Sequence, residues 1–299
     1  MPWVVFLAFV VLLPAVFAIA GGHVIMRPPR PRQRALAPGG KPVSFPASDG
    51  VTLRGWFFPV ADPKGTIVYG PGRGRGLNDF DFRYISLFNR NGYSLLMFDA
   101  RGLGASDGVS SMGALEWRDF LGAAEYLRSR GVDRMGFCGT SQGAAAAILA
   151  AARCPWAAAV VAEAPYASWE TTLYYALQSY AHIPAPLAGP GSWLLARWLE
   201  LRLGFRACDA EPVDAIGRIT PRATLLIHGA QDPYIPISEM ERLFAAAAQP
   251  KELWVLPEAG HTQALELRPV EFEQRVISFL DRWLGSQEAA GSATEGGPA

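Results

Sequence analysis

The stretch RMGFCGTSQGAAAAILAAARC, Arg134 to Cys154, sets one serine between two glycines. A serine hydroxyl becomes a nucleophile only when it stands clear of the backbone and a base can take its proton. Met135 to Cys138 read as a short buried strand, and Ala144 to Ala152 as a strong helix former. Only Gly139 to Gly143 separate the two, so the turn at Ser141 must be sharp. Side chains two positions either side of that turn would strike the neighbouring strand or helix, and Gly139 and Gly143 remove them. Ser141 would then sit at the apex with a helix N-terminus beneath it. The Gln142 amide would point toward any oxygen bound beside the hydroxyl. This is the mechanics of a G-x-S-x-G nucleophile turn. A serine that merely caps the helix fits the same five residues, so a base and an acid have to be found.

There are four histidines. His23 lies in an apolar N-terminal segment, His182 in a long aromatic interval, and His228 at the end of a predicted strand, where a structural role suits it. His261, in PEAGHTQAL, follows the strand Glu252 to Leu256 and precedes the last helix. That loop can return to Ser141, which makes His261 the candidate base. The acid should come from the loop after the preceding strand, where LLIHGAQDPYIP supplies Asp232 between the strand and Pro233. An Asp-Pro turn aspartate is the plainer reading of the same residue. Glu163 is the rival carboxylate, with Asp209 and Asp214 as distant alternatives. The chain order Ser141, Asp232, His261 is the one expected after such a turn.

The elements that must hold these residues alternate. A hairpin is expected over Pro42 to Pro59, turning at Asp49-Gly50. Strands follow at Thr66 to Tyr69, Tyr93 to Asp99, Met135 to Cys138, Ala157 to Ala162, Ala223 to His228 and Glu252 to Leu256. Helices fall between them at Asn78 to Arg90, Leu115 to Arg130 and Ala144 to Ala152, and Val270 to Leu284 closes the chain. Such alternation implies an α/β fold with a mostly parallel, doubly wound sheet and helices on both faces. Reactive groups then gather beyond the carboxyl ends of the strands. The interval of about 55 residues from Ala164 to Thr220 is too long for a loop. Its aromatics read as a helical cap over those ends, interrupted by IPAPLAGPG.

With GTSQG, HGAQDPYIP, AGHTQAL and FDARGLGASDG in this order, residues 42 to 284 resemble a serine hydrolase of the α/β-hydrolase superfamily. EAPYAS and EPVDAIGRITPRATLLIHG resemble its capped, often membrane-anchored branch of esterases, lipases and thioesterases. The resemblance implies Ser141 as nucleophile, His261 as base, Asp232 as acid and the Gln142 amide as one oxyanion donor. Asp99, Arg101, Gly102, Gly104 and Ser106 in FDARGLGASDG read as structural, a glycine-built turn that shapes the floor of the site, with a catalytic role for Arg101 as the alternative. One departure stands out. Members usually carry His-Gly after the third strand, and the next amide is the second oxyanion donor. Here YGPGRGRG places Tyr69 at the histidine and Pro71, which has no N–H, at the donor. Either Gly72 donates instead or the hole is weakened. Arg73 and Arg75 read as solvated or as contacts for an anionic head group. The glycines lack the G-K-[ST] ending of a phosphate loop.

Composition bounds the rest. The chain has 299 residues, with 27 Lys+Arg against 27 Asp+Glu, which gives no electrostatic case for nucleic acid. Three cysteines without C-x-x-C spacing read as reduced and structural. The chemistry requires no cofactor or metal. Pro2 to Met26 carry no charged Asp, Glu, Lys or Arg, long enough for a bilayer-spanning anchor, and Arg27, Arg30, Arg32 and Arg34 follow. The arginines on that side place the catalytic domain in the cytoplasm. Ala18-Ile19-Ala20 before Gly21 is the alternative, a cleavable export signal. Residues 27 to 41 read as a linker and 285 to 299 as a disordered tail. The function expected is hydrolysis of esters or thioesters of an acylated or lipid-like small molecule, with an amidase, a peptidase or a non-catalytic scaffold as alternatives. The oligomeric state is left open.

Overall fold

A computed structural model describes residues 16–29, 39–74 and 76–284. The expected tail at 285–299 and the first part of the apolar N-terminal segment lie outside the described residues. Among the described residues, eight strands form one sheet: β1 (Lys41–Pro46), β2 (Thr52–Phe58), β3 (Gly65–Gly70), β4 (Tyr93–Phe98), β5 (Met135–Thr140), β6 (Ala157–Glu163), β7 (Ala223–Gly229) and β8 (Lys251–Leu256). Their order is β1-β2-β4-β3-β5-β6-β7-β8. β1 and β2 pair antiparallel as Lys41↔Phe57 through Pro46↔Thr52, and β2 runs antiparallel to β4. All later pairings are parallel. The hairpin turns where Gly50 takes φ +87°, a conformation that suits glycine.

Among the described residues, nine α-helices, some of a single turn, and two 3-10 turns (Ala207–Asp209 and Ile216–Ile219) accompany these strands after a first helix at residues 16–26 (α1). The nine α-helices are α2 (Asp79–Arg90), α3 (Trp117–Arg128), α4 (Gln142–Ala151), α5 (Trp169–Ser179), α6 (Ala185–Leu203), α7 (Pro212–Ala215), α8 (Ile237–Ala246), α9 (Ala264–Leu267) and α10 (Pro269–Leu284). On one face of the sheet, α3, α4 and α8 contribute Phe120, Ala147 and Leu243 to a core shared with Val68, Phe137 and Leu226. On the other, α2 and α10 contribute Phe88, Phe272 and Phe279 against Leu95, Val161 and Ile227. Covering both faces is why β3, β4, β5 and β7 are buried along their whole length and read as continuous apolar runs rather than alternating ones. Every residue of α4 is buried. Its alanines let it lie close to the sheet beneath the carboxyl ends of the central strands.

Between β6 and β7, α5 and α6 enclose a third core of Trp169, Leu173, Leu195 and Leu199, with Met112 and Tyr166 beneath. The stretch expected to interrupt this region instead carries a helix. α6 starts at Ala185 with Pro186 in its first turn and continues through Pro190 to a left-handed Gly204 at φ +68°. A proline in the first turn forgoes only an amide that has no intrahelical partner, which is why the helix begins there.

α1 joins the same core through Ile25 and Met26. A Cβ on Gly22 would overlap the Trp198 ring, so glycine allows α1 and α6 to approach closely. The Ser110 amide donates to the Met26 carbonyl at 3.0 Å. No helix among the described residues is long and apolar enough to cross a membrane. Residues 16–26 of the expected anchor therefore contact the cap.

Candidate active site

β5 ends at Thr140 and α4 begins at Gln142, leaving Ser141 alone to turn the chain, at φ +52° and ψ −119°. A non-glycine residue there costs on the order of 1–3 kcal/mol and persists only where its surroundings hold it. The Ser141 amide donates to the Glu163 carbonyl at 2.8 Å, and its own carbonyl accepts from Ala145 at 3.1 Å. A Cβ on Gly139 would overlap the Gly143 backbone, and one on Gly143 would overlap the Gly70 carbonyl. Both glycines are therefore required by contact, as the sequence suggested. Gln142 is the first residue of α4, so its amide is among those a helix cannot satisfy internally.

His261 and Asp232 arrive on the loops after β8 and β7. Asp232 Oδ1 accepts the amides of Tyr234 at 2.8 Å and Ile235 at 3.0 Å, the turn that an Asp-Pro sequence favours. Its Oδ2 lies 2.6 Å from His261 Nδ1. Burial pushes the Asp232 carboxyl pKa upward, but the His261 hydrogen bond and charge and the two amides outweigh it and hold it below the usual value. His228, fully buried, places Nε2 3.0 Å from the Ile235 carbonyl and so fixes the far end of the same loop.

Glu163, the rival acid, does not meet the imidazole. Its Oε1 accepts the Ala264 amide at 3.0 Å and its Oε2 the Tyr84 hydroxyl at 3.0 Å. Burial raises its pKa. Asp209 lies in a 3-10 turn after α6 and Asp214 in α7. His23 lies on α1, and His182 on the link between α5 and α6 at φ +53°.

Ser141 and His261 open into one cavity between the strand ends and the cap, walled by Arg73, Thr172, Tyr175 and Tyr180 among others. A neighbouring space shares Ser141, His261, Arg73 and Tyr180 and adds Gly72, Asn78 and Phe80. Aromatic rings link the cap to His261. Tyr180 stacks on Tyr234 at 5.2 Å, and Tyr234 meets the His261 ring edge-on at 5.3 Å.

The loop after β3 shows what replaces the expected histidine. Tyr69, fully buried, donates its hydroxyl to Asp81 Oδ1 at 2.8 Å. Burial drives the Asp81 pKa up to about 6 against the help of that bond and of the Asn78 amide. Gly72 packs on the turn, where a Cβ would sit 3.4 Å from that of Ser141. Gly72 thus borders Ser141 directly.

A second support was invisible in sequence. Buried Glu116 accepts from Ser110 Oγ, Ser111 N, Gly113 N and, at 3.2 Å, Gln142 Nε2. The loop it organises holds Met112 at φ +61° with its carbonyl bonded to the Tyr166 hydroxyl at 2.9 Å. Nothing in SSMGALE signals the link to the site, because Gln142 comes from α4 and Tyr166 from the segment after β6, although the other donors to Glu116 are local. FDARGLGASDG, by contrast, is structural as read. Arg101 pairs with Asp49 and buried Asp119, and Asp99 accepts the amides of Leu77 and Ala105.

Residues 78–287 match the prolyl oligopeptidase family. The uncharacterised protein YqkD of Bacillus subtilis is 29% identical over 250 residues, covering 82% of this chain and 80% of its own. The uncharacterised protein Rv2307c of Mycobacterium tuberculosis is 33% identical over 240 residues, covering 78% and 76%. Among solved structures, the Pyrococcus furiosus esterase Pf2001 superposes with a TM-score of 0.72 at 24% identity, over 87% of this chain and 99% of that one. At that identity the likeness carries the fold.

Proposed function

Because this chain belongs to the prolyl oligopeptidase family, and with it to the α/β-hydrolase superfamily of serine hydrolases, we propose that it cleaves carboxylic esters or thioesters through an acyl-enzyme on Ser141. The observation that carries this reading is that Ser141, at its strained turn, shares a cavity with His261, whose Nδ1 is held by Asp232. With Nδ1–H committed to the carboxylate, Nε2 keeps its lone pair and can accept the Ser141 proton. Oγ attacks the acyl carbon and His261 carries the proton to the leaving group. A water deprotonated by the same nitrogen then releases the acid and restores the serine. Negative charge on the tetrahedral oxygen falls beside the Gln142 amide at the start of α4, with Gly72 supplying the second N–H that Pro71 lacks. The aromatic wall of the cavity suits an apolar acyl group or lipid-like substrate.

Fluorophosphonate labelling with a graded series of 4-nitrophenyl esters tests the reading on the protein and on Ser141→Ala. Labelling and turnover are expected in the first, with a loss of about 10⁶ in kcat in the second. An unlabelled, inactive wild-type protein would favour a scaffold instead. The family match also supports an amidase or peptidase working through the same residues. Peptide 4-nitroanilides turned over faster than the matching esters would favour that alternative.

We further propose that residues 2–26 attach the protein to a membrane, with the catalytic domain in the cytoplasm. The absence of charge in that segment supports this, as do exposed Val16, Ile19 and Val24 on α1 beside exposed Leu187, Trp193 and Leu201 on α6. Fractionation of the full chain tests it: recovery in the soluble fraction would refute attachment.

A further inference from the structure

Most arginines of the described chain are matched by a carboxylate or a carbonyl. Arg54 meets Asp107, Arg90 meets Glu273, Arg101 meets Asp49 and Asp119, and Arg222 donates to the Ala151 carbonyl. Arg73 differs. It borders both spaces beside Ser141 and His261, and among the described residues it has neither an ion pair nor a hydrogen bond. The groups that bear on it are the Tyr180 phenol and the Glu116 carboxylate. Glu116 is already occupied by the Ser110, Ser111, Gly113 and Gln142 donors. Burial in the cavity wall lowers the Arg73 pKa and outweighs the attraction of those two groups.

A half-buried guanidinium with no ion pair among the described residues is costly unless a ligand supplies a matching anion. A guanidinium presents paired N–H groups that fit the two oxygens of a carboxylate or phosphate. We propose that Arg73 is a substrate-binding residue that selects acyl substrates carrying a carboxylate or phosphate close to the scissile bond. This rests on the hydrolase reading above and narrows it: the aromatic wall takes the apolar part, and Arg73 takes the charged end. The chemistry at Ser141 is unchanged. Arg73 contributes binding that is the same in the ground and transition states, so its effect belongs in KM.

Two matched pairs place the anion on either side of the ester. On the acyl side, 4-nitrophenyl hydrogen glutarate is compared with 4-nitrophenyl pentanoate. On the alcohol side, butyryl glycerol 3-phosphate is compared with monobutyryl glycerol. The wild-type protein is expected to favour the anionic member of one pair by about ten- to a hundredfold in kcat/KM, mostly through KM, the size of a charge-assisted hydrogen bond. The pair that shows the preference says which anion is read. In Arg73→Gln the ratio should collapse toward that of the neutral ester, and Arg73→Lys should keep part of it. Equal ratios in wild type and Arg73→Gln for both pairs would overturn the proposal while leaving the hydrolase reading intact. If the wild-type protein turns over none of the four, the hydrolase reading has failed, and equilibrium titration with glutarate and with glycerol 3-phosphate decides the site alone. Saturable binding lost in Arg73→Gln supports it, and binding that is absent or unaffected overturns it. A thermal melt of each variant confirms that the fold is retained.

Discussion

Two neighbouring strand ends each deliver one buried carboxylate to the loop that carries His261, and the two are used differently. At the end of β7, Asp232 stands in a turn that gives Oδ1 two backbone amides and leaves Oδ2 for the imidazole at 2.6 Å. At the end of β6, Glu163 gives one oxygen to the Ala264 amide and the other to Tyr84. The contrast extends to charge. The interactions of Asp232 favour its anion and outweigh burial, whereas burial dominates at Glu163 and raises its pKa. One carboxylate orients the His261 imidazole; the other pins the loop on which that imidazole sits. Proximity to a histidine is therefore a poor guide to role, and the number of donors aimed at the anion is a better one.

The sharpest break of this comparison is Asp232→Asn. An amide in that position can no longer fix the Nδ1–H tautomer or stabilise the imidazolium, so kcat should fall by about 10⁴ with KM little changed. Steady-state kinetics on a 4-nitrophenyl ester reads this directly, and a loss smaller than tenfold would mean the two carboxylates are interchangeable. Glu163→Gln should cost far less, within about tenfold in kcat, because its amide oxygen still accepts from Ala264 and its NH₂ can donate to the Tyr84 oxygen. Stability at neutral pH should hold or rise, since a buried charge that burial disfavours is removed. A kcat loss as large as that of Asp232→Asn would reverse the assignment.

Asp81 sharpens the comparison with a third buried carboxylate, tied to Tyr69 rather than to histidine. Its pKa is raised from 3.8 to about 6, so the folded state holds its proton where the unfolded state has released it. Its contribution is greatest below about pH 4 and declines as pH rises to about 6, by roughly 3 kcal/mol. Urea unfolding across this range should show that decline in the wild-type protein and not in Asp81→Asn. Parallel curves for the two proteins would contradict it.

The nucleophile turn was legible because it is local. The residues that force Ser141 to the apex lie within two positions of it, and the overlaps that require Gly139 and Gly143 are those a strand-to-helix turn imposes. The strands were legible because two covered faces make them uniformly apolar. Asp232 and His261 could be named from their order along the chain, but the choice between Asp232 and Glu163 could not be closed. Each follows a buried strand, and only side-chain direction separates them. The proline-rich start of α6 misled because sequence registers proline as a breaker, while Pro184 is the cap and Pro186 lies in the first turn, where proline is harmless, and α6 carries Pro190 within it.

What the sequence determined by itself was therefore the alternation of strands and helices, the turn at Ser141 and the candidate groups for its chemistry. Each of these depends on steric and hydrophobic constraints among residues a few positions apart. Tertiary structure alone decided that Tyr69 would bond Asp81, that Glu116 would gather Gln142 and the loop before α3, that α1 would pack on α6, and that Arg73 would face the cavity with neither an ion pair nor a hydrogen bond among the described residues. Those outcomes depend on hydrogen bonds and ion pairs between distant segments, whose geometry exists only after the sheet has brought its strand ends together under the cap.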